Sequence, residues 1–586
     1  MPTISRTHSV LTALAAAALI AGCGMFDREP ESALADADGI LGHVPADTPY
    51  VFASVEPMPD EVLDRLEASA DSMYSAYATI IEASLEDAAD QVAERGGSEE
   101  DAEFVAAVAS ELVQLLRSDN LRAAGIPRGA QMAFYGVGLL PVARIELANS
   151  VAFEAKLAEI ETNVGREMTT GTVQGVSYRY AGDDTMRLVV SVTEDYAVAA
   201  LVPAASSEEH LAAVLGIKAP RSSVADSGSL TALAESYSYG AYGLGYVDIV
   251  RVASVFLDEP SAANADFLRI AGWDPSALDD VCRDEIRGLA GIVPRIVSGY
   301  TNVNAASLDS NTVIEIRSDI AAGLSTLAAP VPGLGRDHGG LGSFGMSIDL
   351  FAAREFMEQR IADYEADPYR CTELTGVGVF VDQLRASLSR PVPPIAYGFK
   401  GFLAVIDRIE GLDLAGQQPP EHVDARLIVA SENAPGLLAM GAMFSPELAS
   451  LDLRPDGQPL KVPLPVVTGP VREAWIALTD TALALSVGEV PPERLSDLLQ
   501  SPPAEPLPSL SMRIDGARYY GFIGEAIRAG EAAGDGDGED VPEEVRDAMT
   551  QVMSGFGDFL ERIAVDVTLT DRGVEVPTTI TLADPR

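Results

Sequence analysis

Basic side chains are what this chain most lacks. Lysine occurs four times in 586 residues, as Lys156, Lys218, Lys400 and Lys461, and Lys plus Arg number 40 against 88 Asp plus Glu. The net charge of −48 and pI near 4.3 argue against nucleic acid or anionic headgroups as direct partners, since both are bound by cations that neutralise phosphate. A solvated acidic surface accounts for the surplus, with divalent cations or a basic partner as the alternative. Cysteine is almost as scarce, at Cys23, Cys282 and Cys371. Outside the first residues the histidines are His43, His210, His338 and His422, and none forms a metal-spaced pair. Beyond the N-terminus no stretch is apolar over the roughly 20 residues that a membrane helix needs.

What is present is a repeated unit. Residues 342–361 read GSFGMSIDLFAAREFMEQRI: a short two-residue alternation, then Asp349, then apolar residues every three or four positions. Period two buries one face of a strand and period 3.6 one stripe of a helix, so the switch marks a strand-to-helix junction. Variants occupy residues 48–66, 240–257 and 508–527, with an acid at the junction each time: Glu56, Asp248 and Asp515. A carboxylate there can cap the first helical turn; a shared catalytic or metal-binding acid is the sharper alternative. Glu is a poorer cap, and Pro57 and Pro59 move the first helix start towards Asp60.

Downstream of each copy lies a hairpin: QMAFYGVG with VARIELA, IVSGYTNV with TVIEIRS, IAYGFKGF with VDARLIVAS, and RIAVDVTLT with VEVPTTITL. A second type of unit, a hairpin followed by a helix, separates the copies pairwise: RLVVSVTEDYAVAALVP with SEEHLAAVLG, and WIALTDTALALSVG with PERLSDLLQS. The order A-B-A, A-B-A implies two related lobes, as the length of the chain also requires. The Pro- and Gly-rich stretch 319–341 marks the boundary between them.

The N-terminus has a positive Arg6, then VLTALAAAALIA, then Ile20-Ala21-Gly22-Cys23. This resembles the lipobox of bacterial lipoproteins. The resemblance implies cleavage before Cys23, acylation of Cys23 and, with Gly24 next, sorting to the outer membrane. Two or more acyl chains hold a protein stably where one is marginal. Residues 24–39 are polar and acidic and read as an unstructured tether. An oxidising envelope favours pairing Cys282 with Cys371, one from each lobe.

Several weaker signals have plain readings. The apolar stripe from Val62 to Leu116, broken at Gly96-Gly97, predicts a helical hairpin packed on the sheet, with a groove for a partner or acyl chain as the alternative. Tyr237, Tyr239, Tyr242 and Tyr246 read as a tyrosine-covered sheet rather than a sugar platform. Gly340-Leu341-Gly342-Ser343-Phe344-Gly345 matches GxGxxG but precedes a strand instead of following one, which excludes a dinucleotide site. Asp535-Gly536-Asp537 opens like a calcium loop, yet Asp540 and Arg546 stand where glycine and glutamate belong. His338-Gly339-Gly340 is similar to an esterase oxyanion loop, without a GxSxG elbow.

The expectation is therefore an α+β fold: two similar lobes from an internal duplication, each an antiparallel sheet covered by helices. Residues 1–22 are a signal peptide, 23–39 the acylated cysteine and tether, 40–335 the first lobe and 336–586 the second. No cofactor and no enzymatic activity are expected. The chain resembles uncharacterised envelope lipoproteins, anchored in the outer membrane and facing the periplasm. It reads as a binding or scaffold module, with a carrier of an apolar ligand, or a hydrolase, as alternatives. Its partners are the membrane, through the lipid, and an envelope protein or apolar ligand. Replacing Cys23 by Ser is expected to abolish incorporation of labelled fatty acid and to release the protein from the membrane fraction; unchanged labelling overturns the lipobox reading.

Overall fold

The computed structural model describes residues 33–94, 117–182, 184–391, 398–411, 420–443, 451–462, 473–533 and 543–584, with Ala107, Glu111, Gln114, Leu115 and Ala396 between them. Cys23 and the acidic loop at Asp535, Asp537 and Asp540 lie outside the described residues, as does most of the second helix of the expected hairpin. The first helix of that hairpin is present as Asp60–Glu94.

Among the described residues, nineteen strands form one antiparallel sheet. In chain order they are β1 Tyr50–Ser54, β2 Met132–Val137, β3 Leu140–Glu146, β4 Thr169–Val173, β5 Val176–Gly182, β6 Met186–Val192, β7 Tyr196–Pro203, β8 Leu244–Asp248, β9 Arg295–Val303 and β10 Ser307–Glu315. They continue as β11 Gly342–Ser347, β12 Phe399–Glu410, β13 His422–Ser431, β14 Leu460–Lys461, β15 Ala474–Leu478, β16 Ala482–Val487, β17 Pro508–Asp515, β18 Leu560–Leu569 and β19 Gly573–Leu582. Their pairings run β4-β5-β6-β7-β3-β2-β1-β8-β9-β10-β19-β18-β17-β11-β12-β13-β16-β15-β14. The fold is α+β, but in place of one sheet per lobe a single sheet runs through, because β10 pairs with β19 from Ser307↔Thr581 to Glu315↔Gly573.

Alternation along each strand sorts side chains to two faces. On one face, Val51, Tyr135, Val142, Val198, Leu244 and Val297 are buried with Leu215 and Leu230 from the loops and helices above them. The equivalent layer farther along the sheet joins Leu403, Val405, Ile428 and Ala484 to Leu495 and Leu498 of the helix Pro492–Gln500. Each such fully buried Leu or Val contributes roughly 1.5–3 kcal/mol. The tyrosine cluster belongs to the core as expected: Tyr239 and Tyr246 are buried, and Tyr237 stacks on Tyr239 at 5.5 Å while its hydroxyl donates to Glu315.

On the opposite face, Leu308, Ile563 and Ile580 pack under Val62, Tyr520 and Phe556. Since every pairing is antiparallel, the helices that follow β1 and β17 stand at one end of the strands, and those that follow β8 and β11 at the other. At the first end Ala76 of the helix Asp60–Glu94 packs on Ala548 and Val552 of the helix Glu543–Phe559. At the other, Cys282 of the helix Asp280–Ala290 is joined to Cys371, with Cα atoms 4.6 Å apart. Glu285 accepts hydrogen bonds there from the backbone N–H of Arg370 and Cys371, which hold its carboxyl below the usual range.

Three junction acids act as caps. Asp248 accepts from Arg251 N at 2.9 Å, Asp349 from Phe351 N and Ala352 N at 3.0 Å, and Asp515 from Arg518 N at 3.0 Å. Glu56 does not: its Oε1 is buried without a partner, burial raises its pKa, and the helix begins at Asp60. The tether is also shorter than expected. Ala33 and Leu34 are buried in the main core with Ile40 and Leu41, because these apolar residues interrupt the acidic stretch and the sheet offers them a surface.

The cysteine pair closes a separation of 89 residues. In a Cys282→Ser/Cys371→Ser double variant, chemical denaturation is expected to show a loss of about 2–4 kcal/mol. Thiol labelling without reductant should modify neither cysteine in the parent protein; two reactive thiols there overturn the crosslink.

A candidate apolar docking face

An antiparallel sheet with one solvated face normally alternates apolar with polar residues. In the middle of β12 and β13 apolar side chains stand on both faces, although Asp424 and Arg426 join the covered one. Opposite the buried Leu403, Val405 and Ile428 lie Phe402, Ala404 and Ile406 on β12, and Ala425, Leu427 and Val429 on β13. Register places Phe344, Ala404, Leu427 and Leu485 in one transverse row across β11, β12, β13 and β16. Phe344 is 44% exposed and Ile406 and Leu427 are each 36% exposed, far above the usual burial of such residues. Ile406 and Leu427, with Ala404, Ala425, Leu485 and Val487, line a shallow, mostly apolar depression of about 280 Å³.

The same row recurs in the first half. Phe52 on β1 is 38% exposed and pairs with Phe134 on β2, which is followed by Ala143 on β3 and Ala199 on β7. Phe344 lies 6.0 Å from Phe402, and Phe134, the cross-strand neighbour of Phe52, lies 5.6 Å from Tyr50. After β11 in the chain, the helices Leu350–Ala366 and Thr375–Leu388 expose Phe351, Val379 and Phe380. The signal was present in strands such as FLAVI and LIVAS, whose unbroken apolar runs imply burial on both sides.

The imidazoles of His338 and His422 have backbone, carboxylate and guanidinium partners. His338 Nε2 lies 2.7 Å from Gly333 O, and burial lowers its pKa. His422 Nε2 is 2.8 Å from Asp424 Oδ1, but its other neighbour is the Arg408 guanidinium, which has no nucleophilic atom to offer. Burial likewise lowers the pKa of His210, and that of His43 falls to about 4 through burial and the Arg144 charge. Among the described residues no imidazole is bonded to a serine hydroxyl, and no three His, Cys, Asp or Glu side chains gather as a metal site. The GxGxxG string runs directly into β11, so no helix start faces it. Among the described residues no helix is long and apolar enough to cross a membrane.

Comparison with protein families, with curated proteins and with solved structures returns no match.

A histidine whose folded pKa lies below its unfolded value adds stability at high pH that disappears as protons bind. For His43 the loss falls as pH drops from about 6.5 to about 4. The difference in stability between the parent and His43→Phe should change across that window in this direction. A pH-independent difference contradicts it.

Proposed function

We propose that this chain is an outer-membrane lipoprotein facing the periplasm, acting as a non-enzymatic binding module whose apolar sheet face receives a protein partner. The observation that supports it most is the open row Phe344, Ala404, Leu427 and Leu485, an apolar strip left half-exposed on a protein with so many charged residues to spare. A shallow depression leaves a small apolar ligand largely in water, whereas ligand sites normally enclose most of their occupant. An extended apolar strip on another protein covers such a face better. The net charge of −48 favours a partner whose strip is flanked by Lys and Arg. A lipid anchor at Cys23 keeps the face close to the membrane.

We also infer that the body arose by duplication. The pairings β1–β2, β1–β8, β2–β3, β3–β7, β6–β7, β8–β9 and β9–β10 have counterparts in β11–β12, β11–β17, β12–β13, β13–β16, β15–β16, β17–β18 and β18–β19. Phe52 and Phe344 then occupy equivalent positions, which makes the docking face double. The antiparallel β10–β19 pair, centred on Asn311↔Pro577, lies where a two-fold axis between the halves would pass.

A photo-crosslinking residue at position 427 tests the binding role, with one at Val151, exposed in the first half, as control. In living cells a discrete protein adduct is expected at 427 alone, and it should vanish when Ile406→Glu is added. That substitution is expected to change stability by no more than about 1 kcal/mol, since the site is partly solvated. A lipid-mass adduct overturns the protein-partner reading in favour of a carrier, and equal labelling at both positions removes the face as a specific surface.

A further inference from the structure

We propose that Arg144 is the anchor of a buried site for a small monocarboxylate anion, on the sheet face opposite the docking surface. Arg144 lies on β3 and is 2% exposed. Its Nε and Nη2 are both buried and find no acceptor. These two atoms form one edge of the guanidinium, the fork that matches the two oxygens of a carboxylate.

Elsewhere the chain shows what that edge does beside a carboxylate. Arg426 donates through Nε and Nη2 to the two oxygens of Asp407, at 2.8 Å each. Arg295 donates in the same way to Glu315 at 2.9 and 2.6 Å, and Arg572 to Glu575 at 3.0 Å each. Arg144 is more deeply buried than Arg426, which is 4% exposed, yet its fork meets no carboxylate among the described residues. An enclosed guanidinium without an acceptor is strongly unfavourable, and a carboxylate seated bidentately is the group that removes the penalty.

The surroundings suit an anion of a few atoms carrying one charge. The Tyr196 ring lies 5.6 Å from the Arg144 guanidinium carbon, and the His43 ring meets the same tyrosine edge-on at 5.6 Å. His43 Nδ1 is also buried without a partner, which gives the site a further polar atom. Gly216, at φ +74°, has its backbone against the fork: a Cβ there would stand 2.2 Å from Nη2. Burial, and after it Glu146, Asp195 and Asp36, raise the Tyr196 pKa, so the neighbourhood already holds negative charge and disfavours a dianion more strongly than a monoanion. The fork itself matches the two oxygens of a single carboxylate.

The test is titration of the mature protein with [13C]formate, and then acetate, against chloride at constant ionic strength. Saturable binding is expected, with the His43 pKa rising as the anion occupies the site. Arg144→Lys keeps the charge and loses the fork, so affinity should fall at least tenfold; Arg144→Met should bind nothing detectable. If the variants fail to fold, saturation and the His43 shift in the parent protein still decide the matter. No saturable binding, undiminished affinity in Arg144→Lys, or a high-resolution structure grown in formate with water alone on the fork would overturn the proposal.

Discussion

The pairing of β10 with β19 is the constraint on which the architecture rests. Nine consecutive residue pairs, Ser307↔Thr581 to Glu315↔Gly573, join a strand in the middle of the chain to its last strand. Without that ladder each half would end in a row of unpaired amides and carbonyls, a ready template for the wrong neighbour. With it, two edges disappear and the buried layers on either side belong to one sheet. The cost is kinetic: β10 pairs with a strand far along the chain, and such non-local pairing is slow to form.

A single hydrogen-bonded seam between two large bodies would act as a hinge. Here it is braced at both strand ends, and by different chemistry. Helix packing of Ala76 on Ala548 and Val552 supports one end, while Cys282 joined to Cys371, with Glu285 capping the adjoining backbone, supports the other. These braces occupy the ends of the strands and leave the transverse rows at Phe52 and Phe344 partly open. The open apolar face and the bracing of the seam therefore have a common origin in where the helices were placed.

Charge inside the body follows a consistent pattern. Arg513 forks onto Asp566 and Arg426 onto Asp407, each with further acceptors from backbone carbonyls. Buried ion pairs of this kind add little net stability, but removing one partner strands the other. They fix the loop 331–341 over the sheet, through Gly335 O and His338 O. Arg144 is the exception in that pattern, which is why its surroundings invite a ligand.

By itself the sequence determined the elements and much of their order. Strand-to-helix junctions at Asp248, Asp349 and Asp515, the hairpins, the core tyrosines and the cysteine pair all follow from short-range periodicity, capping chemistry and the position of two thiols. Glu56 failed as a cap because prolines displaced the helix start, and Ala33 with Leu34 joined the core because two apolar residues in an acidic run found a surface to cover. Tertiary structure alone decided that the two sets of strands form one sheet, that Phe52, Phe344 and Leu427 share an open face, and that the Arg144 fork meets no carboxylate among the described residues. Those facts depend on which distant strands become neighbours and in what register, and neither is encoded in the spacing of residues along a single element.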